Sequence, residues 1–332
     1  MILGLDIGGA NTKITLLDNN SYHIESKYLP FWKDKEKLKD ILKDYNPDYV
    51  GLVFTAELAD CYKTKKEGVL DIITKIKSVF NCPIYILDVN GNFLTPEEAI
   101  KNYLNVSASN WVASAKFISE FVKESCIFVD MGSTTTDIIP IKDKNILAEK
   151  TDLDRLMNNQ LLYVGTLRTP LHFLANKIKF RNRLTNISSE YFSITADISL
   201  ILGKISIDDY TCDTPDNGKK DLDGCLTRLA RVLCADRELI CDDELIYLAK
   251  TFYNKLINLI KEEVDSNIKR YNIDDIVITG LGEEILKDAL KGYNIVSIKE
   301  KYNKEVSLAL PSFSVANLLK LFLDSKEVNH SN

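Results

Sequence analysis

The sequence predicts an α/β protein of two lobes, on the strength of three observations. Its 332 residues, of which 45% are hydrophobic, suffice for two cores. A glycine-bearing hairpin pattern occurs twice, at residues 2–18 and 126–141. Apolar runs alternate with helical stretches, which is typical of a doubly wound sheet. We expect residues 1–123 and 312–332 to form the first lobe, and residues 124–311 the second.

The chain begins with the first hairpin pattern. An apolar strand ends at Asp6, a glycine-rich turn follows, and a second apolar strand runs to Asp18. Glycine lets the main chain approach a ligand, while the N–H groups and polar side chains of such a turn suit a phosphate. Lys13 adds a positive charge next to the turn. The candidate phosphate-binding residues of this hairpin are Gly8, Gly9, Asn11 and Thr12.

The rest of the first lobe continues the alternation of strands and helices. A helical pattern begins at Lys35 and stops at Asn46 and Pro47, because proline cannot continue a helix. Further strands are predicted at residues 22–29, 49–55 and 84–87, and further helices at residues 65–80 and 108–122.

Two acidic residues, Glu57 and Asp60, follow the buried strand at residues 49–55. Open α/β sheets place ligands at the carboxyl ends of their strands, so both are candidates for a ligand contact. Charges that favour a helix N-terminus are an equally good interpretation.

A hairpin of the same design opens the second lobe. An apolar run ends at Asp130, and after the turn Asp137 leads into a second apolar strand. Taken alone, either copy is also compatible with an ordinary hairpin, but two copies in one chain favour paired phosphate-binding turns that face each other across a cleft. The candidate phosphate-binding residues of this hairpin are Gly132, Ser133, Thr134 and Thr135.

Carboxylates accompany both turns. Asp6 and Asp130 each end the strand that leads into a turn. Because carboxylates repel phosphates unless a cation lies between them, we expect Mg²⁺ to be bound by Asp6, Asp130 and phosphate oxygens.

The segment at residues 162–171 is too polar for a core and too apolar for a tail. Arg168 in this segment can grip a phosphate or a carboxylate with two parallel hydrogen bonds, or it can close a lobe interface as a structural residue. Thr169 is a candidate substrate contact. His172 has no partner at a metal-ligand spacing, so a structural or substrate-contact role is favoured.

The remaining chain is mainly helical. The polar loop at residues 208–223 is either a lid over an anionic substrate, with basic helices beside it, or plain surface. A short buried strand before Gly280 and Gly282 predicts another close-approach turn. The predicted elements are helices at residues 195–203, 226–236, 243–270 and 283–290, a strand at 294–298 and a final helix from 311 or 312 to 323.

Composition excludes several classes of protein. A net charge of −6 and a pI near 5.3 argue against a nucleic-acid surface. The sequence has no apolar run long enough for a membrane span and no secretory signal, so a cytoplasmic protein without a membrane partner is expected. Seven cysteines without a C-x-x-C spacing indicate buried free thiols, with a thiol site between Cys212 and Cys241 as a lesser alternative.

These motifs, in this order, resemble the actin-like ATPase superfamily (also called ASKHA, with a ribonuclease H-like fold). The resemblance implies paired phosphate hairpins and a nucleotide or substrate contact at Gly280 and Gly282. A narrower resemblance, to the hydantoinase/oxoprolinase-related family linked to tetrahydromethanopterin C1 transfer, is carried by the hairpins and by residues 163–171, 195–197 and 228–236.

This family resemblance implies a transferase of methanofuran biosynthesis. It would condense 5-(aminomethyl)-3-furanmethanol diphosphate with γ-glutamyltyramine, forming an aryl ether and releasing diphosphate. The candidate catalytic residues are Asp6, Lys13, Asp130, Asp137 and Arg168, with Asp137 as the base. The alternatives are an ATP-dependent small-molecule kinase or ATP-driven amidohydrolase, and a non-catalytic nucleotide-binding partner protein; whether ATP binds stays open.

Overall fold

The structure is a computed structural model that describes residues 1–19 and 21–330. Its contacts divide the chain into two compact units. The first comprises Met1–Ser125, Ile141–Asp152 and Ile298–Asn332, and the second comprises Cys126–Pro140 and Leu153–Ser297. The sequence assigned residues 141–152 and 298–311 to the second lobe, whereas here they belong to the first unit. Residues 331 and 332, which the sequence placed at the end of the first lobe, lie outside the described residues.

The strands follow the alternating and apolar runs of the sequence. They are β1 (Ile2–Ile7), β2 (Asn11–Asp18), β3 (Ser21–Tyr28), β4 (Tyr49–Phe54), β5 (Ile84–Leu87), β6 (Phe93–Leu94), β7 (Cys126–Met131), β8 (Thr136–Lys142), β9 (Asn145–Ile146), β10 (Leu161–Leu162), β11 (Lys177–Phe180), β12 (Arg183–Asn186), β13 (Asp275–Thr279) and β14 (Asn294–Ser297).

The helices include several that begin at capping residues, such as Thr64 and Thr95, whose hydroxyls accept a hydrogen bond from a main-chain N–H of the first turn. They are α1 (Phe31–Asp34), α2 (Lys37–Leu42), α3 (Lys65–Val79), α4 (Pro96–Lys101), α5 (Tyr103–Val106), α6 (Asn110–Phe121), α7 (Asp152–Met157), α8 (Leu171–Leu174), α9 (Thr195–Ile201), α10 (Leu222–Arg231), α11 (Asp242–Tyr271), α12 (Glu283–Ala289), α13 (Ile298–Lys301), α14 (Lys304–Leu308) and α15 (Leu310–His330).

The first unit is built on a mixed sheet with the strand order β3-β2-β1-β4-β5-β6. β1 pairs antiparallel with β2 and parallel with β4. All six residues of β1 are buried, and helix α3 packs its apolar face into the same core. The hairpin turn after β1 therefore projects from the carboxyl edge of a rigid sheet.

The second unit repeats this order around its own hairpin. Its sheet runs β10-β8-β7-β13-β14, and β7 pairs parallel with β13, as β1 does with β4. The long helix α11 contributes a row of buried side chains to the core of this unit. The two glycine hairpins thus occupy equivalent places in two similar sheets.

Helix α15 lies against the first sheet at very short range. A Cβ on Gly4 of β1 would be 2.2 Å from the carbonyl oxygen of Ser312, and a Cβ on Gly51 of β4 would be 3.2 Å from that of Val315. The hydroxyls of Thr15 and Ser312 share a hydrogen bond of 2.9 Å. The close approach of the helix therefore requires glycine at position 4 and leaves little room for a side chain at position 51.

Some elements differ from the sequence expectation. The helix predicted from Lys35 is the shorter α2, the separate helix α1 lies before it, and α15 extends well past residue 323. Residues 177–186, for which no strand was predicted, form a separate two-stranded sheet, whose turn places Arg181 and Asn182 in left-handed conformations. Among the described residues, no helix has the length and apolar character that a membrane crossing requires.

Candidate active site

The two glycine turns are closed by the same hydrogen bond. The N–H of Gly8 donates to the carbonyl oxygen of Asn11, and the N–H of Gly132 donates to that of Thr135, both at 3.0 Å. In each hairpin the glycine follows the strand-terminal aspartate by two residues. The sequence repeat is thus also a repeat of turn geometry.

Both turns leave main-chain donors available. Within the part of the chain that the structure describes, the N–H groups of Gly9 and Ala10 in the first turn, and of Ser133 and Thr134 in the second, have no main-chain or side-chain acceptor. The first turn is fixed from behind, because the N–H of Phe31 donates to the carbonyl oxygen of Gly9 at 2.8 Å. Adjacent unpaired N–H groups on a fixed turn are suited to binding an anion.

Asp6 is the most buried charged group of the first hairpin, with 4% exposure. Its Oδ2 lies 3.8 Å from the Nζ of Lys13, the residue opposite it on β2. Burial raises the pKa of Asp6, and the positive charge of Lys13 partly offsets that rise. Its Oδ1 is buried without a hydrogen-bond donor among the described residues. Asp6 therefore offers one oxygen that a cation can take.

This donor set fits a partly hydrated magnesium ion better than a fully protein-ligated metal. Among residues 1–19 and 21–330, no group of three or more His, Cys, Asp or Glu side chains is arranged to hold a metal. Mg²⁺ commonly uses one or two carboxylates and takes its remaining ligands from water and phosphate oxygens. The unpartnered Oδ1 of Asp6 meets that requirement.

The turn after β13 packs against the end of β7, where the second hairpin begins. Thr279 lies opposite Asp130 in the parallel pairing, and a Cβ on Gly280, whose φ is +95°, would be 2.5 Å from the Oδ1 of Asp130. The N–H of Gly282 donates to the carbonyl oxygen of Met131 at 2.9 Å. Close packing and the positive φ therefore favour glycine at position 280, and Gly282 contributes the hydrogen bond. The nucleotide or substrate contact predicted for them stays a prediction.

The segment at residues 163–171 supports the second turn. The N–H groups of Leu167 and Arg168 donate to the carbonyl oxygen of Ser133, at 3.0 and 3.1 Å. A Cβ on Gly165 would be 2.5 Å from the main-chain nitrogen of Thr134, so this glycine lets the segment pass directly under the turn. Sequence reasoning missed Gly165, although a glycine inside a half-apolar segment indicates such a close approach.

Arg168 and Thr169 have different surroundings despite being adjacent. Arg168 is exposed, and its guanidinium donates to no acceptor within the described residues. Thr169 is 3% exposed, and its hydroxyl accepts the N–H of Gly165 at 2.9 Å. Arg168 is free to bind an anion beside the Ser133 turn, whereas Thr169 holds the supporting segment in place; the predicted substrate contact of Thr169 stays a prediction.

Asp137 is engaged by a buried arginine. The Nη2 of Arg155 donates to the Oδ1 of Asp137, and Arg155 is only 1% exposed. A guanidinium holds the carboxylate that it contacts in a fixed position through charge-assisted hydrogen bonds. The contact favours a structural role for Asp137, while the base predicted from the sequence stays a prediction.

The loop at residues 208–223 is fastened to helix α10 by ion pairs. The buried Arg228 donates from Nε and Nη2 to the Oδ1 of Asp197, at 2.9 and 2.7 Å, and from Nη1 to Asp216 at 3.2 Å. Arg231 donates to the other oxygen of Asp216 at 2.7 Å. Carboxylates of the protein thus already pair with these arginines, and the choice between a lid over an anionic substrate and plain surface stays a prediction.

The first unit also contains a cavity away from the hairpin. It has a volume of about 490 Å³ and lies at the amino ends of β4 and β5, with Tyr49, Cys82 and Pro83 in its lining. Because β1 runs parallel to β4, the Asp6 turn lies at the opposite edge of the same sheet. The cavity is thus separate from the candidate site.

A family model described as hydantoinase/oxoprolinase matches residues 48–321. The chain belongs to the hydantoinase/oxoprolinase family. The family resemblance inferred from the hairpin motifs is therefore confirmed.

Two relatives of this family member carry the same name. The (4-{4-[2-(γ-L-glutamylamino)ethyl]phenoxymethyl}furan-2-yl)methanamine synthase of Methanocaldococcus jannaschii is 71% identical over 326 residues, which cover 98% of this chain and 99% of the relative. The synthase of that name from Methanococcus vannielii is 57% identical over 218 residues, or 64% of this chain and 98% of the relative. The prediction of an enzyme is confirmed.

Among solved structures, the nucleotide-free acetone carboxylase shares the fold, with a TM-score of 0.61 over 95% of this chain and 70% of the other. Sequence identity is 9%, so this likeness bears on the fold alone. Together with the repeated sheet order of the two units, it confirms the predicted α/β actin-like ATPase fold class.

Proposed function

We propose that this protein forms the aryl ether of the compound for which its relatives are named. The observation that carries the proposal is 71% identity over nearly the whole of both chains. The ether of that compound joins two parts. One part is the phenol γ-glutamyltyramine, and the other is a furan that bears an aminomethyl group and an activated hydroxymethyl group. The proposed substrates are therefore γ-glutamyltyramine and 5-(aminomethyl)-3-furanmethanol diphosphate, within methanofuran biosynthesis.

The main requirement of this reaction is to stabilise the diphosphate anion as it leaves. A furfuryl carbon–oxygen bond ionises readily, because the electron-rich ring spreads the developing positive charge. Negative charge then grows on the diphosphate, where fixed N–H donors and a cation are most effective. The unpaired N–H groups at Gly9 and Ser133, together with Lys13, support this role for the two turns.

We further propose that Mg²⁺ assists, with Asp6 as one ligand and Asp130 as a second. When bound, the ion would neutralise phosphate oxygens as a Lewis acid. The buried, unpartnered Oδ1 of Asp6 supports this assignment. Ether formation should be lost in excess EDTA and restored by added Mg²⁺; full activity of the metal-stripped protein would contradict the assignment.

Arg168 is proposed to bind the diphosphate or the glutamyl carboxylate. Its main-chain N–H donates to the same Ser133 oxygen that anchors the turn, and its guanidinium has no competing acceptor in the described chain. Arg168→Met should raise the KM of the substrate that it binds and leave the KM of the other unchanged. Arg181→Met is the matched control, because Arg181 is an exposed arginine that pairs with Glu244.

The deciding experiment combines the purified enzyme with both substrates and no nucleotide. Mass spectrometry should detect the ether, and a coupled assay should detect one diphosphate per ether. A requirement for ATP with release of ADP, or the absence of the ether, would contradict the proposal. We propose a cytoplasmic location for the reaction, with small-molecule substrates and no nucleic-acid or membrane partner.

A further inference from the structure

Glu57 is a buried carboxyl for which the chemistry above has no use. It lies in the 3₁₀ turn Ala56–Leu58, just beyond the end of β4. β4 is the direct neighbour of β1, and the N–H of Thr55 donates to the carbonyl oxygen of Ile7 at 2.9 Å. Glu57 therefore follows the strand that adjoins the Asp6 hairpin, at the same edge of the sheet.

Glu57 is buried with only one of its two carboxyl oxygens hydrogen-bonded, which is energetically unfavourable. The side chain is 1% exposed, its Oε1 accepts the N–H of Ala108 at 2.8 Å, and its Oε2 is buried with no donor among the described residues. Ala108 has a φ of +50°, which is strained for a residue with a Cβ. A buried polar atom without a hydrogen-bond partner destabilises a fold, so its presence in the first unit calls for an explanation.

The adjoining elements leave the carboxyl without a strong partner. Helix α3 packs so closely that a Cβ on Gly68 would be 2.6 Å from the Cα of Glu57. Lys65 on the same helix favours the carboxylate, whereas Asp152 disfavours it, and burial outweighs both. Burial, the largest of these influences, raises the pKa of Glu57 to about 7. A carboxyl that titrates near neutrality can both accept and release a proton during turnover.

We propose that Glu57 is the general base that takes the proton of the attacking phenol. In this step the phenol oxygen bonds to the furfuryl carbon, and the bond from that carbon to diphosphate breaks with its electron pair on the diphosphate. The phenolic proton passes to the Oε2 of Glu57, directly or through one water, and then to solvent. This inference rests on the proposed ether-forming function. It gives Glu57 the role that the sequence assigned to Asp137.

Glu57→Gln is the test variant, because glutamine keeps the size of the side chain and can still accept the Ala108 N–H. Glu67→Gln is the matched control, since Glu67 is an exposed glutamate of the same unit. We expect ether formation by the wild type to show a rise of kcat/KM near pH 7, and ether formation by Glu57→Gln to fall about 10²–10⁴-fold and to lack this rise. Diphosphate release without the phenol, which tests ionisation alone, should be unchanged.

The outcomes separate this inference from the proposed function. A wild type that forms no ether refutes the function and the inference together. An active wild type whose rate and pH profile persist in Glu57→Gln refutes the inference only. Parallel loss of ether formation and of phenol-independent diphosphate release would also overturn it, because that pattern indicates a structural role. Loss of the pH-dependent rise in Asp137→Asn, with Glu57→Gln unaffected, would assign the base to Asp137.

Discussion

Replacement of Glu57 by glutamine should change the pH dependence of stability in a defined direction. Burial raises the pKa of Glu57 from 4.5 to about 7, so between these values the folded chain holds this proton more tightly than the unfolded chain. Stability therefore falls as pH rises through this window, is unaffected by Glu57 below it, and levels off above it. Glutamine does not ionise, so the variant lacks this loss.

The magnitude follows from the size of the pKa change. At about 1.4 kcal/mol for each pH unit between the two pKa values, the penalty approaches about 3 kcal/mol above pH 7. The free energy of unfolding of Glu57→Gln, relative to wild type, should thus rise by about 2–3 kcal/mol between pH 5 and pH 8. The fixed cost of placing glutamine at this position cancels in that comparison.

Tryptophan fluorescence is a selective assay for this effect. The two tryptophans of the chain, Trp32 and Trp111, both lie in the first unit, which also contains Glu57. Urea unfolding of wild type, Glu57→Gln and the exposed control Glu67→Gln should be measured between pH 5 and pH 8. If wild type and Glu57→Gln change in parallel with pH, Glu57 is not a buried group of raised pKa, and the argument for its role as base loses its support.

Three further substitutions test the two hairpins. Asp6→Asn should lower ether formation at least about 10²-fold without lowering stability, because it removes a buried negative charge; near-normal turnover by mass spectrometry would contradict the site. Gly165→Ala places a Cβ 2.5 Å from the nitrogen of Thr134 and should cost about 1–3 kcal/mol of stability and weaken diphosphate binding, measured by urea unfolding and calorimetry. Asp137→Asn removes the carboxylate that pairs with the buried Arg155 and should lower stability by about 1–3 kcal/mol; an unchanged unfolding midpoint would argue against this ion pair.

The two hairpins could be read from the sequence because their structure is local. An apolar strand, an aspartate, a glycine turn and a second apolar strand fix the pairing of neighbouring residues, and Lys13 consequently lies opposite Asp6. The same pattern in Asp130 and Gly132 produced the same closed turn. Both depend on contacts within a few residues, for which the sequence pattern is sufficient.

Contacts between distant segments could not be read in this way. Gly280 abuts Asp130 because β13 pairs with β7, and Gly165 supports Thr134 because a later segment passes beneath the turn. From the sequence, Glu57 was equally suited to a ligand contact or to a helix end. Its raised pKa results from burial against α3 and beside the Ala108 amide, which only the folded structure shows.

The sequence by itself determined the local devices of this protein: two aspartate-glycine turns, each on an apolar strand pair. Tertiary structure alone decided the electrostatic character of the carboxyls. Asp6 and Glu57 each keep a buried oxygen without a donor in the described chain, whereas Asp137 meets a buried guanidinium. The reason is physical, because the energy of a charge depends on its burial and on partners that folding brings from elsewhere in the chain.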